Sequence, residues 1–526
     1  MKIVIIGGVA GGASAAARLR RLDERAEIIM FERGEFISFA NCGLPYYISG
    51  VIEDSADLTL QTPESFNARF NVDVRALSEV VQIDRRGKAV TVRDVRTGGE
   101  YVEPYDKLIL SPGAKPVRPP IEGADNEKVF TVRTVPDAVA IRDYIENKKP
   151  SCAVVIGGGY IGVEMAENLK TAGLDVTIVE MTDHLIASLD YDMACDVHNY
   201  IQKMGVHLLL SNGVVKIADR DGKLDISLQK GELTTDMVIM AVGVRPETEL
   251  ASAAGLELNE RGAVVVSDAM QTSDPDIYAV GDAVAITEFV TGTGGYVPLA
   301  GPANRQGRIA ADNICGIGSV YKGTQGSAVL KIFDMTVAVT GITESVAKRL
   351  NLNYDKSYTY SASNATYYPG GHDMSVKTVF DRDSGKILGA QLVGFDGVCK
   401  RCDVFSVAVR AGMTAGDLTE LELCYAPPFS SAKDPVNFAG FVIENQLSGI
   451  CKSFYWHDVA ALPRDGSVTL LDVREPEEYA AGRIDGFINI DVDELRGRIG
   501  ELDSKKPAYV YCRSGLRSYI ACRNLM

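Results

Sequence analysis

The 526 residues are 46% hydrophobic and 24% charged, an ordinary globular composition with room for three to four domains of about 150 residues. The formal net charge of −16 excludes nucleic acid and anionic membranes as main partners and leaves any anionic ligand to local basic clusters. No apolar run approaches the roughly 18 residues that span a bilayer, the opening Met1–Gly8 stretch is too quickly broken for a signal peptide, and ten cysteines without paired spacing predict free thiols in a reducing cytoplasm.

Residues 2–6 are a continuous apolar run, the mark of a buried parallel strand. Gly7, Gly11 and Gly12 follow, then a helix over 13–22 and a strand over 27–31 that runs into Glu32. This is a dinucleotide-binding unit: glycines let the backbone approach a pyrophosphate, the helix N-terminus faces it, and the acid takes the ribose hydroxyls. The G-x-G-x-x-G pattern is incomplete, because Val9 stands at its second glycine. Next comes Ser38-Phe39-Ala40-Asn41-Cys42, which places a cysteine where a helix should begin. A thiol there is favoured as thiolate by the unpaired N–H groups. A buried structural cysteine is the plainer alternative, but polar Ser38 and Asn41, with Gly43 and Pro45, describe a shaped loop. Ser111-Pro112-Gly113-Ala114 reads as a crossing out of the first nucleotide domain.

The same device returns complete. A strand over 153–156 leads into Gly157-Gly158-Gly159-Tyr160-Ile161-Gly162, a helix over 163–172, a strand over 176–179 and Glu180. Two such units imply two dinucleotides. Glu180 repels a 2′-phosphate, and Met181, Thr182 and Asp183 supply no arginine, so the charge argument favours NADH over NADPH as the second. Gly243-Val244-Arg245-Pro246 reads as the return crossing, and Gly281-Asp282 ends a short strand where Asp282 can bind a polyol.

With these residues in place, the chain resembles the pyridine nucleotide–disulfide oxidoreductases, whose FAD domain is split around an inserted NAD domain. The resemblance implies that Gly7, Gly11, Gly12, Glu32, Ser38, Asn41, Gly113 and Asp282 hold FAD. It implies that Gly157, Gly159, Gly162 and Glu180 hold the nicotinamide cofactor, with Tyr160 gating the nicotinamide face of the flavin. Two-cysteine members carry a partner five residues before the redox cysteine; here that residue is Ile37, so Cys42 works alone. The Ser-Phe-x-x-Cys form is most similar to the single-cysteine branch of the coenzyme A-disulfide reductases. Relatives that reduce peroxide or oxygen have histidine where this chain has Ala10.

Residues 326–450 read as a mixed α/β segment, with strands at 330–333, 336–340 and 375–380 and a helix at 402–411. Tyr367 and Tyr425 stand in short segments rich in glycine or proline, where loop packing is the plain reading. The resemblance instead implies that both enter the partner subunit's active site, beside its Cys42, in a homodimer with shared sites. Coenzyme A is polyanionic, and Arg18, Arg21 and Arg25 are spaced to share a face of the first helix and its continuation, with Arg20 on another side. A solvated face explains them equally well; the resemblance favours Arg18 and Arg21 as coenzyme A ligands, with Arg69 and Arg305 as further candidates. Cys399-Lys400-Arg401-Cys402 lacks a second Cys/His pair and reads as incidental thiols, not a metal site.

After a connecting segment at 446–456, Leu471-Asp472-Val473-Arg474-Glu475 and the Gly482–Ile490 stretch resemble a rhodanese domain, with Arg483 where a histidine is usual. A strand over 508–511 ends in Cys512-Arg513-Ser514-Gly515-Leu516-Arg517-Ser518 before a helix. Such a loop rings the cysteine with N–H groups that stabilise a thiolate or persulfide, and Arg513 and Arg517 suit an anionic sulfur donor. The chain stops at Met526, before the last strand and helix such a domain normally has, which puts its completeness in question.

The expected architecture is α/β. It comprises an FAD domain (1–112 and 245–325), an NAD domain (113–244), an α+β dimerisation domain (326–446) and a rhodanese domain (455–526). The expected activity is NADH-dependent reduction of coenzyme A persulfide, polysulfide or coenzyme A disulfide, with small-molecule sulfur substrates as partners. An NADH oxidase, or a thiol redox sensor or sulfur carrier, are the alternatives.

Overall fold

Lys2–Ile6 forms the middle strand of a five-stranded parallel sheet, flanked by Lys107–Leu110 and Ile277–Ala279 on one side and Glu27–Phe31 and Asp73–Arg75 on the other. Ile3, Val4 and Ile5 have no exposed surface, because the sheet is covered on both faces; that is why the run is continuous, not alternating. A second parallel sheet repeats the design, in the order Val206–Leu209, Asp175–Val179, Cys152–Ile156, Met237–Met240, Val129–Phe130. The two crossings read from the sequence pair with each other, Ala114–Pro116 antiparallel to Val244–Pro246. This computed structural model describes residues 1–526, which divide into two units, Met1–Gly326 with Leu330–Phe333, and Ser327–Val329 with Asp334–Met526.

Two helices begin earlier than expected. The first spans Ala10–Leu22 and the second Tyr160–Thr171, so Gly11, Gly12 and Gly162 lie within opening turns. The cause is close packing of each turn on its own loop: a Cβ would come 1.9 Å from the Gly7 carbonyl oxygen at Gly12, and 2.0 Å from that of Gly157 at Gly162. The first helix also ends where Asp23 turns extended, its carboxylate accepting from the Arg25 N–H at 2.8 Å. Arg25 is therefore off the helix and does not extend the face of Arg18 and Arg21, a correction to the expected triplet. Arg20 is buried, and its guanidinium donates to the carbonyls of Asp23, Ala26, Phe70 and Asn71.

The second unit contains the antiparallel strands Met335–Gly341, Ile387–Gly394, Asp373–Asp381 and Tyr354–Ala362, in that spatial order, with helices Val398–Ala411 and Pro435–Leu447. The Val398–Ala411 helix starts four residues before the expected 402, capped by Gly397 at φ +66°. Beyond it Tyr455 donates to the Asp355 carboxylate at 2.9 Å and the Lys356 carbonyl at 2.8 Å, anchoring the connecting segment. A three-stranded parallel sheet follows, Ile488–Asn489, Thr469–Asp472, Ala508–Tyr511. No helix is long and apolar enough to cross a membrane.

The Ala300–Ile314 helix lies so close to the first helix that a Cβ at Gly307 would be 2.3 Å from the Gly11 carbonyl oxygen, whereas one at Gly301 meets nothing within 4 Å. Gly307→Ala is expected to lower stability by about 1–3 kcal/mol through overpacking and to reduce retention of the FAD that the resemblance implies, with Gly301→Ala as a neutral control. Thermal melts and bound-flavin absorbance measure both.

Candidate active site

Both strand-end acids turn inward onto their glycine loops. Glu32 accepts from the Gly8 N–H at 3.0 Å and the Gly34 N–H at 2.9 Å. Glu180 accepts from the Gly158 N–H at 2.6 Å and from the N–H and hydroxyl of Thr182 at 2.7 and 2.9 Å. Gly7 and Gly157 sit at φ +98° and +104°, and a Cβ at Gly159 would meet nothing within 4 Å, so the backbone there is open to a close ligand. Tyr160 opens the second helix, its hydroxyl 2.7 Å from that of Ser188.

The thiol loop is tied to the first glycine loop. Ser38 donates its N–H to the Gly8 carbonyl at 2.8 Å and accepts from the Leu60 N–H at 3.2 Å. It does so with φ +45°, a left-handed conformation that a serine adopts only when its surroundings hold it. A 3-10 turn, Asn41–Gly43, then leads into the short Leu44–Ile48 helix, so Cys42 stands at a helix start as expected. Its electrostatics are not as expected. Cys42 reaches solvent, yet the protein packed around its sulfur pushes the thiol up, and the carboxylates of Glu164 and Asp282 push it further. The thiolate predicted from the helix start is outweighed first by burial of the sulfur and then by the negative charges that face it, and that helix is only one short turn. Glu164, on the Tyr160–Thr171 helix, is itself pushed up to about 7 by burial and by Glu167, which pairs with Lys331 at 2.6 Å. Tyr46 rises to about 12 by burial and the same acids.

The far wall is mostly hidden from a reading of the sequence. Burial raises Asp282, and the Arg133 guanidinium opposes the rise. Arg133 also lies beside Gly113, where a Cβ would come within 2.7 Å of it. The buried Gln306 accepts from the Gly281 N–H at 2.8 Å, which fixes the Gly281–Asp282 turn. The Tyr296 hydroxyl and the Asn41 side-chain carbonyl are buried with no partner in the chain. Such orphaned polar atoms, Tyr296 close enough to Asp282 to feel its charge and Asn41 beside Cys42, fit a polar cofactor such as FAD in the first half. The complete glycine loop with Glu180 fits a nicotinamide dinucleotide in the second.

Of the candidate coenzyme A ligands, Arg18 gives its Nε–H to Asp312 at 2.7 Å, while Arg21, Arg69 and Arg305 are exposed.

In the second unit the two candidate tyrosines come together: the hydroxyls of Tyr367 and Tyr425 are 3.0 Å apart, though 58 residues separate them in sequence. That bond raises Tyr367. The ring of donors expected around Cys512 is present. Its sulfur accepts from the N–H groups of Gly515 at 3.1 Å and Ser518 at 3.4 Å. Burial pushes Cys512 up, but the Ser518 hydroxyl and the amides of Ser518, Gly515 and Ser514 outweigh it and hold the thiol below its ordinary value. Arg513 is exposed, whereas Arg517 is held in a bidentate pair with Glu478 at 2.6 and 3.0 Å. Cys402 is buried and pushed up to about 12, first by burial, which makes it a poor redox partner for exposed Cys399.

Because the Glu164 charge is one cause of the raised Cys42 thiol, Glu164→Gln removes it and the thiol deprotonates at lower pH. The rate of Cys42 alkylation, followed on its own peptide by mass spectrometry across pH, should shift its midpoint downward. An unchanged or higher midpoint contradicts this electrostatic reading.

Comparison with known proteins agrees with the geometry. The pyridine nucleotide-disulphide oxidoreductase pattern matches residues 1–307, its dimerisation-domain pattern residues 327–435, and the rhodanese-like domain pattern residues 456–526. Among solved structures, reduced CoADR-RHD of Bacillus anthracis is 50% identical, with a TM-score of 0.97 over 100% of this chain and 94% of that one. A NAD-dependent persulfide reductase from A. fulgidus is 38% identical, with a TM-score of 0.93 over 100% and 96%. Among curated proteins, an NADH oxidase of Methanocaldococcus jannaschii is 38% identical over 84% of this chain and 98% of its own length. A coenzyme A disulfide reductase of Staphylococcus epidermidis is 36% identical over 84% and 99%. With the family pattern covering more than half its length, the chain belongs to the pyridine nucleotide-disulphide oxidoreductase family.

Proposed function

We propose that the protein is an FAD-dependent reductase that uses NADH to reduce coenzyme A persulfide, polysulfide or coenzyme A disulfide through Cys42. The observation that carries this reading is a single thiol bonded through its loop to the first glycine loop, with fully buried Ile37 where a two-cysteine enzyme has its partner. A lone thiol must form its mixed disulfide with the substrate itself. The relatives named as persulfide and coenzyme A disulfide reductases support that choice.

The Cys42 thiolate attacks the sulfur of coenzyme A persulfide that is bonded to carbon. A Cys42–coenzyme A disulfide forms, the S–S bond of the persulfide breaks, and hydrosulfide leaves. FAD, held by Gly7, Gly12, Glu32 and Asp282, would supply the electron pair that reopens this disulfide, drawn from NADH held by Gly157, Gly159, Gly162 and Glu180. Tyr425, with Tyr367 bonded to it, donates a proton to the departing sulfur, acting on Cys42 of the partner subunit in a homodimer. Arg18, Arg21, Arg69 and Arg305 bind the phosphates of coenzyme A, and Glu180 favours NADH over NADPH. Cys512 takes up sulfane sulfur as a persulfide and passes it to the coenzyme A thiol. All ten cysteines are free, in keeping with a reducing cytoplasm.

Oxygen reduction is the second reading, favoured by the relative named NADH oxidase. Ala10, at the start of the first helix, offers no proton donor for it.

Two cysteine variants separate the steps. Cys42→Ser is expected to keep FAD and its reduction by NADH and to lose sulfide release from every sulfur substrate. Cys512→Ser is expected to leave reduction of preformed coenzyme A persulfide near the unaltered rate, while losing sulfide release from a sulfane donor that needs the rhodanese loop. Full sulfide release by Cys42→Ser contradicts the assignment; equal loss of both activities in Cys512→Ser makes that domain structural.

A further inference from the structure

Arg401, the third residue of the segment read as incidental thiols, is 1% exposed. A buried guanidinium survives only if its N–H groups find acceptors. Its Nε donates to the Asp434 carboxylate at 3.1 Å, and Nη1 to the Gly397 carbonyl at 3.2 Å. Nη2 donates to the Ser363 carbonyl at 2.9 Å, the Ser430 hydroxyl at 3.0 Å and the Phe429 carbonyl at 3.4 Å. Gly397 makes room for this side chain, since a Cβ there would be 1.9 Å from Nη1.

These acceptors belong to the two loops that carry the tyrosine pair. Ser363 closes the base of the loop that holds Tyr367: its N–H reaches the His372 carbonyl at 2.8 Å, and its hydroxyl accepts from the His372 N–H at 3.2 Å. Phe429 and Ser430 close the turn after Tyr425, both amides donating to the Ala426 carbonyl, at 2.9 and 3.1 Å. Asp434 caps the Pro435–Leu447 helix through the Val436 N–H at 3.0 Å and accepts the Ser430 hydroxyl at 2.8 Å. The loops also meet where the Ala365 N–H reaches the Pro427 carbonyl at 3.3 Å. Within their own chain Tyr367 and Tyr425 are 75% and 48% exposed, so what their own subunit contributes to holding the rings is the backbone beneath them.

We propose that Arg401, paired with Asp434, is a positioning residue: by bonding both loops at once it holds the Tyr367 and Tyr425 hydroxyls at hydrogen-bond distance, ready to protonate the departing sulfur. The inference rests on the proton-donor role proposed above for the tyrosine pair. Neither side chain is placed in contact with substrate.

Arg401→Lys tests it in the full-length, FAD-loaded protein, because lysine keeps the charge for Asp434 and loses the fork to Ser363 and Ser430. FAD content and reduction of FAD by NADH should stay unchanged. Turnover of coenzyme A persulfide should fall about a hundredfold in kcat with a smaller change in KM, the size of a lost general acid. Tyr425→Phe should show the same loss, and the double variant should be no slower than either single one, since both remove one function. The ultraviolet titration of tyrosine should shift to lower pH, because the bond that raises Tyr367 is gone. Unaltered kcat, or losses that multiply in the double variant, with an unmoved titration, would mean that Arg401 only stabilises the fold. Should Tyr425→Phe turn over at the full rate, the donor role is wrong, and the titration of Arg401→Lys still decides the positioning. If Arg401→Lys does not fold, Ser430→Ala keeps the ion pair and removes one acceptor; a smaller loss in kcat supports the proposal and full kcat overturns it.

Discussion

Gly8 is bonded through both its N–H and its carbonyl, and so links the second strand to the thiol loop. Its N–H goes to Glu32, the acid that ends the second strand, and its carbonyl accepts from Ser38, the first residue of the thiol loop. A side chain there would run into Ile37, whose Cγ2 lies 2.7 Å from where a Cβ would stand, so only glycine lets the loop approach. Ser38, which makes that approach, is left-handed at φ +45°. The Ser38 bond to Gly8 ties the thiol loop to the glycine loop, and the Leu60 N–H and the Ala40 bond to the Leu58 carbonyl hold its other side.

The two candidate cysteines stand in opposite fields. Cys512 sits in a ring of amides that outweighs its burial and is lowered; Cys42 is raised first by burial and then by Glu164 and Asp282. Both stand at the start of a helix, yet only one meets the usual expectation for that place. The difference follows from what lies opposite. Donor N–H groups of its own loop face Cys512, while acids brought by two other segments face Cys42. An amide ring stabilises a sulfur anion, as the sulfane-sulfur role proposed for Cys512 would require.

Much of this arrangement is legible in the residues. The two glycine loops, both strand-end acids, the crossings and the cysteine loops announce themselves through local pattern, and local pattern also places the strands. Helix starts read late because glycines inside a first turn look like loop until the close approach to Gly7 and Gly157 is seen. Periodicity misplaces Arg25 on the helix because it does not show that Asp23 has left it. Glu164, Arg133, Tyr296 and Arg401 escape notice for a different reason. Each reaches its partners through tertiary packing, from elements remote in sequence. Glu164 alone has a readable signal, an acid one helical turn after Tyr160 at the mouth of the second glycine loop.

The proposed activity depends on a lone thiol, Cys42, passing electrons from NADH to sulfur bonded to sulfur, not to oxygen. Its most direct test is to measure NADH oxidised and sulfide formed from coenzyme A persulfide without oxygen, beside oxygen uptake in air without a sulfur substrate. Equimolar sulfide and NADH loss, with slow oxygen uptake, is the predicted result. Rapid NADH oxidation that consumes oxygen and forms no sulfide would contradict it.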